Sequence, residues 1–87
     1  MGAITGSGNC AVGEDALMTA TTGTQNIAMG QSAMRLMTTG SYNIAIGANS
    51  LASSFSTNGN TAVGHGTLNA NTAANNTAVG YLSLIHI

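Results

Sequence analysis

The sequence predicts an all-β fold, a parallel β-solenoid of about five 17-residue coils. A five-residue pattern, Asn-x-Ala-(aliphatic or Met)-Gly, recurs along the 87-residue chain, with its asparagine at positions 9, 26, 43, 60 and 76 and therefore at steps of 17, 17, 17 and 16 residues. Each copy alternates with a period of two and is bounded by turn-forming residues, which is typical of a short strand. Seventeen residues are too few for a self-sufficient unit, so each coil is expected to pair with the next at a spacing of ~4.8 Å.

Each coil is predicted to contain two strands. The first covers the Asn-x-Ala-x-Gly pattern, and the second surrounds a leucine or methionine that follows the glycine by four residues. Polar segments such as "TTGTQ" from Thr21 and "TTGSY" from Thr38 separate the coils and are expected to form turns. A helical repeat is the main alternative architecture, but the density of glycine and asparagine disfavours it. The segment from Ser32 to Met37 could pass for a helix, yet its counterparts in other coils are poor helix formers, so strand or loop is expected there.

The asparagine of each repeat is predicted to form a structural ladder. Stacked amide side chains can pass hydrogen bonds from coil to coil and satisfy backbone groups at a corner. A motif repeated at a fixed step therefore indicates a structural element rather than five copies of a ligand site. The ladder residues are Asn9, Asn26, Asn43, Asn60 and Asn76.

Two sets of apolar positions are predicted to fill the inside of the coils. The fourth residue of the pattern is always aliphatic or methionine, so its side of the strand is expected to face inward, where the leucine or methionine of the second strand should meet it. The residue after each asparagine shares this parity and is expected to be partly buried. The core columns are Val12, Met29, Ile46, Val63 and Val79 on the first strand, and Leu17, Met34, Leu51, Leu68 and Leu84 on the second.

On the opposite side of the strand, every copy has an alanine, and the glycine follows this alanine by two residues. This invariance implies that a larger side chain does not fit, so something must approach the Ala/Gly face closely. In a fibre the natural candidate is another copy of the chain. The predicted close-packing face comprises Ala11, Ala28, Ala45, Ala62 and Ala78 with Gly13, Gly30, Gly47, Gly64 and Gly80.

The composition excludes several function classes. Only Glu14, Asp15 and Arg35 are expected to be ionised at neutral pH, which is 3% of the chain against roughly a quarter in average soluble domains. Without a basic patch, nucleic acid is not an expected partner. No apolar run approaches the ~20 residues of a membrane span, and the first residues do not show the charged-then-apolar pattern expected of a signal peptide. Cys10 is the only cysteine and is interpreted as a small core-filling residue. No cofactor or metal is expected.

The repeats "NIAIGANSL" from Asn43 and "NTAVGHGTL" from Asn60 resemble those of trimeric autotransporter adhesin heads (YadA-like). They are similar, even more closely, to repeats of phage tail-fibre and related surface-fibre proteins, whose period fits the 17 residues seen here better. The resemblance covers about residues 5–84. It implies a left-handed parallel β-roll, three chains packed side by side as a homotrimer, no catalytic residues, and a role as an adhesin head or fibre shaft.

The solenoid region is expected to span residues 1–84, as a fragment of a longer fibre. The final "LSLIHI" from Leu82 departs from the repeat and resembles the translated start of a common sequencing adapter. Residues 85–87 are therefore expected to be a non-native or truncated tail, with a genuine final strand or cap as the alternative.

Two other functions are compatible with a solenoid. A hexapeptide-type left-handed β-helix acyltransferase is the best enzymatic alternative, with His65 as its possible base. However, the hexad does not continue around the coil, and no carboxylate repeats near that histidine. An ice-binding solenoid needs a regular array of threonines on a strand face, whereas Thr21, Thr22, Thr38 and Thr39 fall in predicted loops. A calcium-binding roll fails because the chain has a single aspartate.

The sequence therefore predicts a non-enzymatic structural and adhesive fibre segment. It is expected outside the cell, on a phage virion or a bacterial surface, where it takes part in attachment to host cells. Contact with a host glycan or protein receptor, if any occurs, is expected through the loops at Gln25, Tyr42, His65 and Tyr81.

Overall fold

The computed structural model of the chain stacks five short parallel strands in a single sheet. It describes residues 8–18, 22–52, 57–68 and 74–81. The strands follow one another in the sheet in chain order, and each pairs in parallel with the next. They are β1 (Cys10–Val12), β2 (Ile27–Met29), β3 (Ile44–Ile46), β4 (Thr61–Val63) and β5 (Thr77–Val79). The described residues contain no helix, and the predicted parallel β-solenoid is confirmed.

Strand pairing places every repeat directly on the preceding one. The alanines form one continuous column in this register, with Ala28 opposite Ala45 and Ala62 opposite Ala78. The last step keeps the register although it is one residue shorter than the others. We number the coils one to five after the strand that each contains.

In coils one to four, a turn takes the place of the second strand that the sequence predicts. Residues 31–36, which include all of the helix-like segment except Met37, and residues 48–52 are turn in the structure. Neighbouring turns are nevertheless joined by backbone hydrogen bonds. The Met34 N–H donates to the Ser50 carbonyl at 2.8 Å, and the Leu51 N–H donates to the Thr67 carbonyl at 3.0 Å. Coils one to four are thus bonded to one another on both sides of the cross-section.

A left-handed backbone conformation turns the chain inward at the leucine or methionine of each turn. The φ angles of Leu17, Met34, Leu51 and Leu68 are 51°, 50°, 50° and 50°. This conformation costs about 1–2 kcal/mol for a residue with a Cβ. All four side chains are fully buried, and burial of one such side chain contributes about 1.5–3 kcal/mol. Burial therefore offsets the backbone strain.

The core contains one of the two predicted apolar columns and excludes the other. The second column is confirmed for its four described members, while Leu84 lies outside the described residues. The first column was assigned to the wrong side of the strand, since Val12, Met29, Ile46 and Val79 are 53%, 41%, 38% and 68% exposed and Val63 is half-buried. The alanines face inward instead: three are fully buried, Ala78 is 4% exposed, and Ala11 is partly buried against the core.

The narrow cross-section of the coil explains this inversion. The turn side supplies leucine or methionine, and Met37 adds a further fully buried side chain. Opposite such large side chains the strand can accommodate only small ones, because protein interiors are filled to crystal-like density. Alanine therefore faces inward, and the larger aliphatic residues of the strand face outward. Of the residues that follow the asparagines, only Ile44 and Thr61 have the predicted partial burial, whereas Cys10, Ile27 and Thr77 are exposed.

The glycine column is closely approached by the next coil of the same chain. A Cβ added to Gly30 would lie 2.7 Å from the carbonyl carbon of Gly47, and one added to Gly47 would lie 2.6 Å from that of Gly64. The prediction that another copy approaches the alanines is therefore wrong. The alanines are inside the coil, and the close contact at the glycines is between coils.

Substitutions in coil three test which side of the strand faces the core. We expect Ala45→Leu to destabilise the fold by at least about 2 kcal/mol, since it overpacks a closed interior. Ile46→Thr is expected to cost less than about 1 kcal/mol, because this side chain faces outward. Urea denaturation at low protein concentration measures both. The opposite ranking would contradict the inward orientation of the alanines.

Candidate functional site: the outward face of the sheet

The asparagine ladder holds the strands in register. The Asn43 N–H donates to Oδ1 of Asn26 at 3.0 Å, and the Asn60 N–H donates to Oδ1 of Asn43 at 3.0 Å. The Asn43 amide group also donates forward, to the Thr57 carbonyl at 2.7 Å, and backward, to Oδ1 of Asn26 at 3.1 Å. Equivalent bonds join Asn9 to Asn26 and Asn60 to Asn76. The predicted ladder is therefore confirmed.

These amides are satisfied away from solvent. Asn26, Asn43 and Asn60 are fully buried. Within the described ranges, the Thr57 hydroxyl is the one buried side-chain polar atom without a hydrogen-bond partner. A buried amide whose donors and acceptor are all used stabilises a single register, because any slip leaves polar groups unpaired.

A second, shorter ladder, which the sequence analysis missed, lies two residues before the first. The Thr24 N–H donates to the Ser41 hydroxyl at 3.0 Å, and the Ser41 N–H donates to Oδ1 of Asn58 at 2.8 Å. Small polar residues at steps of 17 were the available signal. They were interpreted only as turn formers.

The two ladders fix a flat apolar surface, which we call the outer sheet face. Its ten positions form two columns across five strands, and none is charged. Eight are apolar and two are threonine: Cys10, Val12, Ile27, Met29, Ile44, Ile46, Thr61, Val63, Thr77 and Val79. Neighbouring strands lie ~4.8 Å apart and outward residues of one strand ~7 Å apart, so the side chains form a regular array. Exposed apolar side chains gathered on one face make it the candidate interaction surface of the described residues.

Polar and aromatic corners border this face at both ends of the strands. Gln25 and Tyr42 precede the strands in equivalent left-handed corners, with φ of 56° and 62°. His65 and Tyr81 follow the glycines, and their rings stack with centroids 5.4 Å apart and planes 13° apart. All four are exposed, Tyr42 by 63% and Tyr81 by 73%. The structure thus places the loop residues predicted for receptor contact in two separate columns, one on each border.

The residues considered for catalysis are not brought together. Glu14 and His65 occupy equivalent corners three coils apart, a separation of ~14 Å at the spacing of parallel strands. Glu14 instead accepts a hydrogen bond from the Gln31 amide at 3.1 Å. Among the described residues, no three histidine, cysteine or acidic side chains are grouped to hold a metal ion. That part of the chain also has no helix of the length and hydropathy that a membrane crossing requires.

No protein family model, curated protein or solved structure matches the chain. An uncharged apolar array with polar borders can exclude water against a partner of matching shape. Cys10 places one free thiol at its end.

Proposed function

We propose that the chain is a segment of a trimeric, extracellular surface fibre, of a phage tail or a bacterial adhesin, that presents attachment surfaces to host cells. The observation that carries the proposal is the exposed outer sheet face. The buried side-chain amides of the asparagine ladder have hydrogen-bond partners within the chain. The strands therefore stay paired with one another without a further partner. The outward aliphatic residues are neighbours across the strands, yet Val12, Ile46 and Val79 remain 53%, 38% and 68% exposed in the single chain.

The occupant that best fits this face is another copy of the same chain. A partner must match side-chain ridges that repeat at the strand spacing along the whole stack. A second copy has the same spacing, so every row can meet an equivalent row without accumulating mismatch. The absence of charge favours such a contact, because equivalent rows in a symmetric assembly would bring like charges together.

The size of the face predicts that five coils associate weakly. Five strands cover ~19 Å along the stack, and three residues cover ~7 Å across it. The resulting area is far below the ~800 Å² per partner of a standard stable interface. Additional coils add area in proportion, so a longer array of the same repeat would associate more tightly. This dependence on length suits a fibre.

Cys10 provides an internal test of face-to-face packing, because it is exposed at one end of the outer sheet face. In a parallel trimer we expect mild oxidation to link Cys10 of neighbouring copies. The double variant Cys10→Ser/Ile44→Cys should also form links, since position 44 lies on the same face. Cys10→Ser/Thr39→Cys should not form links. Thr39 is also exposed, but it lies in the polar segment between the turn and the ladder and not on the outer sheet face. Equal linking of all three proteins would contradict the proposed contact.

The number of copies is measured by sedimentation at rising protein concentration. We expect a monomer–trimer equilibrium. Ile46→Glu should weaken it more than about a hundredfold, because like charges meeting around the axis cost several kcal/mol. A protein that stays monomeric at the highest concentration, or a variant that associates as well as the parent, would overturn the proposal. A stable dimer would contradict the threefold arrangement.

One observation favours ice binding as a second candidate. Thr61 and Thr77 lie on the outer sheet face and pair in register across β4 and β5, not in the loops. The other outward positions are apolar, which suits a protein partner better. A freezing assay separates the two functions, since thermal hysteresis is expected only for an ice-binding surface.

A further inference from the structure

The sequence contains one asparagine followed by glycine, Asn58–Gly59. This dipeptide is chemically the most reactive site for spontaneous deamidation, because glycine has no side chain to hinder attack by its backbone nitrogen. Asn58 is exposed, and Gly59 has a φ of 69° in the corner before Asn60. Water therefore reaches the site.

Both reacting groups are held by one residue of the preceding coil. The Ser41 N–H donates to the side-chain oxygen of Asn58 at 2.8 Å. The backbone nitrogen of Gly59 is the attacking atom, and its N–H donates to the Ser41 carbonyl at 3.1 Å. From the following coil, the Asn75 N–H donates to the Asn58 carbonyl at 3.0 Å. The dipeptide is thus fixed from above and below.

We propose that Asn58 is the deamidation site of the chain and that Ser41 suppresses the reaction while coils three and four remain bonded. In the reaction, the Gly59 nitrogen attacks Cγ of Asn58 and loses its proton. The side-chain nitrogen leaves as ammonia, and a succinimide ring forms. Water then opens the ring at one of its two carbonyls, giving aspartate or isoaspartate. The first step needs a Gly59 nitrogen freed from the Ser41 carbonyl and an Asn58 side chain free to rotate.

The two products differ in their effect on the stack. Aspartate keeps an oxygen that can accept from the Ser41 N–H. Isoaspartate adds a methylene group to the backbone between the bonded groups, so the two bonds to Ser41 cannot both be retained. Formation of isoaspartate after a transient opening would therefore keep coils three and four from bonding again at this position. The fraction of modified chains would then reflect how often these two coils separate.

The test compares deamidation of the whole chain in native buffer and in urea at the same alkaline pH. Peptide mass spectrometry locates the modification, and hydrogen exchange reports the opening of the Gly59 amide. We expect Asn58 to react at least about tenfold more slowly in the native protein, with a rate that rises in parallel with Gly59 exchange as urea is added. Ser41→Ala is the matched control: it loses the bond from the Thr24 N–H in coil two but keeps both backbone groups that bond coil four, so the native rate should stay unchanged.

Several results would overturn the proposal. Equal rates in native buffer and in urea would show that Ser41 does not protect the site, as would rapid deamidation while the Gly59 amide stays protected. Earlier modification of another asparagine in urea would refute the assignment to Asn58. Faster native deamidation in Ser41→Ala would assign the protection to the hydroxyl rather than to the backbone groups. The Asn58→Gln variant should abolish the signal at this peptide.

Discussion

Gly47→Ala is expected to unfold the protein, whereas Gly80→Ala should leave it folded. The two glycines have nearly the same backbone conformation, with φ of 124° and 126°. They differ in the space around them: a Cβ on Gly47 would lie 2.6 Å from the Gly64 backbone, and one on Gly80 would meet nothing within 4 Å. Backbone strain alone costs about 1–3 kcal/mol. At Gly47, two coils must also separate, against a total stability of only about 5–15 kcal/mol for a domain.

Urea denaturation followed by circular dichroism measures this difference, with Gly80→Ala as the control for strain. Similar losses in the two variants would show that conformation, and not the approach of the next coil, selects glycine in this column. Gly13→Ala provides a further comparison. Gly13 has a φ of 121°, and a Cβ added to it would lie 2.8 Å from the carbonyl carbon of Gly30. The variant should therefore behave like Gly47→Ala.

Asn43→Leu is expected to destabilise the fold by about 2–6 kcal/mol. The variant leaves the Asn60 N–H and the Thr57 carbonyl without their partners, and each orphaned buried group costs about 1–3 kcal/mol. Asn9→Leu is the matched control, because Asn9 belongs to the same ladder but is only half-buried. Water can replace its lost hydrogen bonds, so a smaller loss is expected. Thermal and urea unfolding of both variants test the ranking.

Asn43→Asp separates the accepting and donating roles of the same side chain. It keeps an acceptor for the Asn60 N–H but cannot donate to the Thr57 carbonyl or to Asn26. It also places an ionisable group where the native amide is fully buried. We expect a loss at neutral pH at least as large as that of Asn43→Leu, since an unpaired buried charge is costly. Near-native stability of either variant would refute the structural role of the ladder.

The repeat period was sufficient to predict the parallel stack, the ladder and the leucine column. Each follows from the same residue type recurring at one step, as Asn26, Asn43 and Asn60 do. The orientation of the strand could not be obtained in this way. Hydrophobicity places Ile46 inside and Ala45 outside, but the coil is too narrow to hold Ile46 opposite Leu51. Available volume, not polarity, decided which side faces inward.

The turn conformation was also beyond the sequence. Leucine and methionine give no sign of a left-handed backbone, because such residues rarely adopt it. It arises here because burial of Leu51 and the bonds between neighbouring turns outweigh the local strain. The outer sheet face followed from the same volume limit. The aliphatic residues assigned to the core became the candidate interaction surface once the alanines occupied the interior.

The unequal length of the last coil has a consequence for how such a chain can change over time. Coil four to coil five takes 16 residues, yet the Asn76 N–H donates to Oδ1 of Asn60 at 2.9 Å, as in the longer coils. The missing residue falls between Leu68 and Asn76, eight residues apart where Leu51 and Asn60 are nine apart. The loss of one residue in this stretch is therefore accommodated without loss of register. Evolution, or a protein engineer, could therefore shorten one coil by a residue while its neighbours keep their alignment.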